Sequence, residues 1–172
     1  MSAPPSTDGQ PPSILRRLAS MLYEGLLLFA VAFAGAWLFL FVSGGREVSG
    51  WVRYALQAYL GAVCAAYFLW CWLRSGQTLA MKTWRIRLVA PGCTRVPAGR
   101  ALRRLAYVGI LGGGVLMALG AAFKYRDPWL ALAAFPVAAT VWGWALFDRD
   151  RQFLHDRLAG TRLVLVPPPK PR

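Results

Sequence analysis

Four long runs without a charged residue decide what this chain can fold into. Residues 25–45, 54–73, 105–123 and 128–147 contain no Asp, Glu, Lys or Arg, and the runs are 21, 20, 19 and 20 residues long. A helix rises about 1.5 Å per residue, so about 20 apolar residues cross a hydrocarbon layer roughly 30 Å thick. The pattern predicts an all-α membrane protein with four transmembrane helices, at about residues 22–43, 54–73, 105–123 and 128–147.

The basic residues are divided unevenly between the two sides that four spans would create. Of the 20 Lys and Arg residues, sixteen precede the first run, separate the second from the third, or follow the fourth. Cytoplasmic loops carry such an excess, so both termini and the middle loop are predicted to be cytoplasmic. The net charge of +13 is explained by contact with anionic lipid headgroups, and we expect no nucleic-acid partner.

Composition also separates the ends of the chain from its middle. Residues 1–13 and 167–172 are rich in proline and are predicted to be disordered tails around one domain, 14–166. In the middle loop, the segment TWRIRLV at 83–89 alternates apolar residues with arginine, and RLVLV at 162–166 has the same β-rich character. These segments are predicted to pair as a small cytoplasmic sheet. Pro97 is predicted to open a short basic helix, 98–104, that leads into the third span.

One acidic residue lies at the edge of the first apolar run. Glu24 follows Arg17 by seven residues, which places both on one helix face, about 10 Å apart along the axis. An acid there is costly unless a cation or a hydrogen-bond donor meets it, so Glu24 is a functional candidate. The alternative is that its side chain reaches the headgroups and only anchors the helix.

The one histidine, His155, precedes Asp156 in the segment HDRLAGT at residues 155–161. Because Arg17, Glu24 and Asp156 fall on the same predicted side, they could form a triad with the arginine between two carboxylates. Such a triad would either clasp the tail to the first span or bind a proton or cation. His155 would then add a group that titrates near neutral pH.

HDRLAGT also has a purely structural interpretation. Asp156 would cap backbone amides, Gly160 would end a short helix and Thr161 would begin the strand. A single histidine cannot complete a zinc site, and the cysteines do not supply the missing ligands. The chain contains no GxSxG or HExxH motif and no Gly-rich phosphate loop before a helix. We therefore expect no enzyme, no metal and no cofactor.

Four segments, taken in order, resemble the RDD family of bacterial membrane proteins: RLASMLYE at 17–24, GQTLAMKTWRIRLV at 76–89, RALRR at 100–104 and HDRLAGTRLV at 155–164. The family is named for an arginine and two aspartates. The resemblance assigns these positions to Arg17, Glu24 and Asp156, with glutamate in place of the first aspartate. Ala80 stands where the family usually has glycine. Further positions of the family motif on this chain are Gly76, Gln77, Thr78, Arg100, Arg104, Gly160 and Thr161.

The resemblance implies a multi-pass protein of the bacterial inner membrane. Some members of the family are linked to cation–proton exchange, so the first hypothesis is a small ion- or proton-coupled carrier, which would assemble as a homo-oligomer. The second hypothesis is a non-transporting scaffold, assembly factor or lipid-binding adaptor. It is favoured by the absence of charge within the second, third and fourth predicted spans.

Overall fold

The computed structural model describes residues 10–44, 49–126, 128–148 and 152–167. Its elements, in chain order, are α1 (Ile14–Val42), α2 (Gly50–Arg74), α3 (Leu79–Thr83), β1 (Ile86–Val89), α4 (Ala98–Tyr125), α5 (Pro128–Phe147), α6 (Leu154–Ala159) and β2 (Arg162–Leu165). Three helices, α1, α2 and α4, are long and apolar enough to cross a membrane. They coincide with the first three predicted spans. The fourth predicted span coincides with α5, whose crossing of the membrane stays a prediction.

All three of these long helices begin earlier than the predicted spans, and the difference is largest for α1 and α4. α1 begins at Ile14, because the side chain of Ser13 caps it by accepting a hydrogen bond from the Arg16 backbone N–H at 3.4 Å. Arg17 and Glu24 therefore lie on one continuous helix. The predicted short basic helix after Pro97 likewise continues without a break into the third span, as the single helix α4.

The predicted strand pair is confirmed as a two-stranded antiparallel sheet. β1 pairs with β2 in a register that sets Ile86 opposite Leu165 and Leu88 opposite Leu163. The alternation in TWRIRLV is realised only from Ile86 onward, where Ile86 and Leu88 are buried. Upstream of the strand, Trp84 ends the short helix α3, which the sequence analysis did not predict.

The best-packed part of the molecule lies at one end of the long helices, around the sheet. Farther along these helices, large apolar side chains such as Phe29, Met117 and Phe123 are exposed. Exposed apolar surface of this kind is what a helix presents to lipid. The packed cluster consists of Trp72, Met81, Ile86, Leu88, Val96, Ala101 and Leu163.

The segment before α1 is held against the sheet. The Gln10 carbonyl accepts a hydrogen bond from the Leu165 N–H at 3.0 Å, and Pro12 is fully buried. Gln10 and Pro12, which lie in the predicted N-terminal tail, therefore contact the folded part of the chain, whereas Pro11 and Ser13 are exposed. The remainder of the two predicted tails, 1–9 and 168–172, lies outside the described residues.

Candidate functional site

Glu24 joins three helices through hydrogen bonds to hydroxyl groups. Its carboxylate accepts one bond from the Tyr67 hydroxyl of α2, at 2.7 Å, and a short one from the Thr78 hydroxyl at the start of α3. The Thr78 oxygen also accepts from the Met81 N–H at 3.2 Å and so caps α3. The half-buried acid at the edge of the first span is thus stabilised by hydrogen bonds from neutral donors.

Arg17 is almost completely buried, with 1% of its surface exposed. Its Nε donates to the Pro12 carbonyl at 3.2 Å, and its guanidinium lies 5.8 Å from the centre of the Phe153 ring. Phe153 precedes α6, so Arg17 connects α1 to the carboxyl-terminal segment through an aromatic contact.

Asp156 pairs with Arg104 of α4, which replaces the predicted triad centred on Arg17. Nη2 and Nε of Arg104 lie 2.7 Å and 2.9 Å from the same carboxylate oxygen, Oδ1. Both side chains are buried, and the Arg104 guanidinium also lies 4.6 Å from the Trp72 ring centre. The physical reason is position: Arg104 is the last charge before the third apolar run, and α4 contacts α6 directly.

His155 is stacked on Phe153, with ring centres 5.6 Å apart, and its Nε2 lies 3.6 Å from Asp156 Oδ1. Burial lowers the pKa of His155 to about 4, although the Asp156 carboxylate opposes this shift; Arg104 and Arg17 add to it. The imidazole is therefore neutral at pH 7. The predicted titration near neutral pH is wrong for this environment, because the ring is taken out of water beside two guanidinium groups.

The segment HDRLAGT folds as its structural interpretation predicted, except at Asp156 and at the start of the strand, which begins at Arg162 and not at Thr161. Gly160 ends α6 in the left-handed conformation, with φ of 66°, and β2 begins two residues later. The Thr161 N–H and hydroxyl both donate to the Asp156 carbonyl. Arg100 donates to the carbonyls of Pro91 and Gly160 at 3.1 and 3.4 Å, which attaches this turn to α4. The Asp156 side chain pairs with arginine instead of capping amides.

The GQT segment anchors β1 to the end of α2. The Gly76 carbonyl accepts from the Leu88 N–H at 2.8 Å, and the Gln77 side chain donates to the Ile86 carbonyl at 2.7 Å. Ala80, where the resemblance leads one to expect glycine, is completely buried and is accommodated. These motif residues therefore position Thr78 beside Glu24.

The candidate residues surround a cavity of about 250 Å³ between α1, α2, α4 and the sheet. Much of its wall is apolar, with Met21, Leu28, Phe68 and Val108 on the side of the long helices. Within the described ranges no three His, Cys, Asp or Glu side chains gather as a metal site. The polar side of the cavity can bind a small polar or ionic group, while the rest of its wall is apolar. Its polar lining consists of Arg17, Ser20, Glu24, Thr78, Arg104 and His155.

Because the pKa of His155 is lowered in the folded protein, we expect the free energy of unfolding to decrease as the pH is lowered. The unfolded chain takes up a proton at the ordinary value near 6.5, whereas the folded protein does so only near pH 4. Protonation thus favours unfolding between these values, and the contribution of this group falls by about 2 kcal/mol between pH 7 and pH 5.

Denaturant unfolding in detergent micelles at several pH values measures this effect. The difference between the wild type and His155→Gln isolates it from the carboxylates that titrate in the same range. The wild-type curve should rise more steeply with pH from 4 to 6.5. Parallel curves for the two proteins would show that the imidazole titrates normally.

Comparison with known proteins identifies one family. The family model that matches is described as the RDD family, and it covers residues 11–160 of the 172-residue chain. No curated protein and no solved structure matches the chain. The matched region contains Arg17, Glu24, Arg104 and Asp156, the four charged residues of the cavity and its adjoining ion pair. Since the match covers most of the sequence, the chain belongs to the RDD family.

Proposed function

We propose that the protein is a four-span carrier of the bacterial inner membrane, with both termini and the sheet in the cytoplasm, and that it exchanges a proton or a small cation at Glu24. The uneven distribution of basic residues supports this orientation. The length of α5, 20 residues, supports a fourth crossing. The proposal includes no catalytic step, and its expected partners are anionic lipids and further copies of the chain.

The observation that carries the proposal is the position of the Glu24 carboxylate and the kind of partners it has. Its carboxylate lies at the edge of an apolar span and lines the cavity, and among the described residues it makes hydrogen bonds to hydroxyls and no ion pair. A proton or cation entering the cavity therefore competes with neutral donors. A transport site needs binding that is favourable enough to load and weak enough to release.

Arg17 and Arg104 give the same cavity a second property. Two buried guanidinium groups line the same cavity as Glu24 and repel a cation that enters it. The fixed positive charge of the two arginines therefore opposes binding of a cation in the cavity and favours its release. The neutral imidazole of His155 adds no further charge at pH 7.

The test is flux through purified protein in proteoliposomes, with a pH-sensitive dye inside and a gradient of Na⁺ or K⁺ across the membrane. The wild type should move protons against the cation, and Glu24→Gln should reduce the rate at least about tenfold, because the exchangeable charge is gone. The matched control is Glu47→Gln, the same chemical change in the predicted loop between the first two spans. Wild-type rates equal to those of empty vesicles, or an unimpaired Glu24→Gln, would exclude the carrier.

A scaffold, assembly or lipid-binding function is the second candidate. Its supporting observation is the attachment of the carboxyl-terminal segment to α4 through Arg104 and Asp156 and to the middle loop through the sheet. This attachment makes one end of the helices a packed basic surface suited to docking. If proteoliposomes containing folded protein show no flux, this function takes the place of transport.

A further inference from the structure

A second cavity, of about 370 Å³, lies where α2 ends. Its walls come from the last turn of α2, from β1 and from the loop that follows β1. Arg74, Arg87 and Arg95 line it, and no Asp or Glu is among its lining residues. The described ion pairs of residues 10–44, 49–126, 128–148 and 152–167 include none of these three arginines. Three cations thus share one cavity without a carboxylate to neutralise them.

Two side chains in the wall of this cavity carry buried donors that lack acceptors. Within the described part of the chain, the indole N–H of Trp72 and the Nε–H of Arg87 are buried and make no hydrogen bond. Trp72 is 3% exposed, so water does not readily solvate its ring nitrogen. A buried donor without an acceptor is destabilising, so native proteins normally provide an acceptor for it. Because Arg87 lines this cavity, an anion bound in it is an acceptor for the Arg87 guanidinium.

The C-terminal end of α2 repels an anion in this cavity less strongly than a helix end whose carbonyls lack hydrogen bonds. Carbonyls at a helix C-terminus carry partial negative charge. In this protein the Cys71 carbonyl accepts from the N–H and the hydroxyl of Ser75, each at 3.1 Å. The Trp72 carbonyl accepts from the Gly76 N–H at 3.1 Å. Hydrogen bonding therefore offsets the negative end of α2, and Arg74 in its last turn offsets it further.

We propose that this cavity binds a phosphate group, with Arg87 at its base and Arg74 and Arg95 at its rim. The planar guanidinium fork matches the spacing of phosphate oxygens and donates two charge-assisted hydrogen bonds at once. The cavity volume falls within the range of small-molecule sites and exceeds what a bare ion needs. This site does not involve Glu24, and Trp72 is the one lining residue that it shares with the cavity around Glu24, so it stands independently of the carrier function.

The phosphate can come from two sources. Arg74 lies over Trp70, with its guanidinium 5.3 Å from the ring centre, at the end of a membrane-spanning helix. Tryptophan at such positions lies at the level of lipid headgroups, which brings an anionic headgroup within reach. A soluble phosphate or phosphate ester presents the same oxygens to the same arginines.

The experiment measures both sources on the full chain purified in detergent. One arm counts bound phosphatidylglycerol or phosphatidylcholine by native mass spectrometry, and the other titrates inorganic phosphate by calorimetry. The test variant is Arg87→Gln/Arg95→Gln. The control variant, Arg16→Gln/Arg103→Gln, removes the same charge from exposed positions away from the cavity. Circular dichroism confirms that both are folded, and the rim variant Arg95→Gln alone replaces the double variant if that does not fold.

We expect the wild type and the control variant to bind one phosphate-bearing ligand, and the test variant to bind it at least about tenfold more weakly, because charge-assisted hydrogen bonds are lost. Selective retention of phosphatidylglycerol over phosphatidylcholine identifies a lipid headgroup, and saturable binding of inorganic phosphate identifies a soluble ligand. If binding is weakened equally in the test and control variants, the effect comes from the overall charge of the protein, and the proposed site is wrong. So would the absence of binding in both arms.

Discussion

Arg104→Met is expected to destabilise the protein by about 3–5 kcal/mol, because it leaves the buried carboxylate of Asp156 without a cation. Asp156 is fully buried, and two nitrogens of Arg104 lie within 2.9 Å of its Oδ1. The other oxygen, Oδ2, is buried and has no hydrogen-bond partner in the described ranges. Its charge therefore depends heavily on Arg104. Denaturant unfolding in micelles, followed by tryptophan fluorescence, measures the loss.

Arg103→Met is the matched control for this prediction. Arg103 precedes Arg104 in α4 but is exposed, so its replacement should change the free energy of unfolding by less than about 0.5 kcal/mol. The double variant Arg104→Met/Asp156→Asn removes the uncompensated charge and should lose less than the two single variants added together. Strict additivity, or equal losses at residues 103 and 104, would mean that the ion pair does not hold α6 to α4.

Gly76→Ala is expected to destabilise the protein by about 2–5 kcal/mol, the sum of a backbone and a steric cost. Gly76 has φ of 68°, which a residue with a Cβ adopts at a penalty, and an added Cβ would lie 2.7 Å from the Leu88 carbonyl oxygen. That oxygen belongs to the backbone of β1, so it cannot move without disturbing the sheet. The same unfolding measurement applies.

Gly92→Ala separates the two costs. Gly92 has φ of 75°, but a Cβ added there meets no atom within 4 Å. Its replacement should cost only the backbone penalty of about 1–2 kcal/mol. If the alanine variants at residues 76 and 92 are equally destabilised, the close approach of β1 to the end of α2 is not a source of stability.

Local patterns were reliable where the structure depends on neighbouring residues. The strand pair followed from alternation in two short segments, and Gly160 followed from its place after a short helical stretch. α3 was missed because five residues are too few for a periodic pattern, and its cap at Thr78 is visible only as a threonine before Leu79. The early start of α1 was missed because Ser13 lies inside a proline-rich segment that resembles a disordered tail.

The sequence identified the residues of the candidate site, but it did not show which of these residues form ion pairs with each other. The resemblance brought together Arg17, Glu24 and Asp156, and it is the only route by which Arg104 was noticed. Arg104 and Asp156 are 52 residues apart, and one arginine in a basic loop cannot be distinguished from its neighbours by spacing. One signal was available: Arg104 immediately precedes the third apolar run, so of the residues in RALRR it is the one closest to the span.

The amino-acid sequence by itself determined the membrane-protein class, the positions of the apolar helices and the strand segments. These depend on hydrophobicity and periodicity, which are properties of consecutive residues. Only the tertiary structure decided which cation meets Asp156, which hydroxyls meet Glu24 and how far the pKa of His155 falls. Those outcomes depend on distance and burial between residues far apart in the chain, and the energy of a charge changes steeply with both.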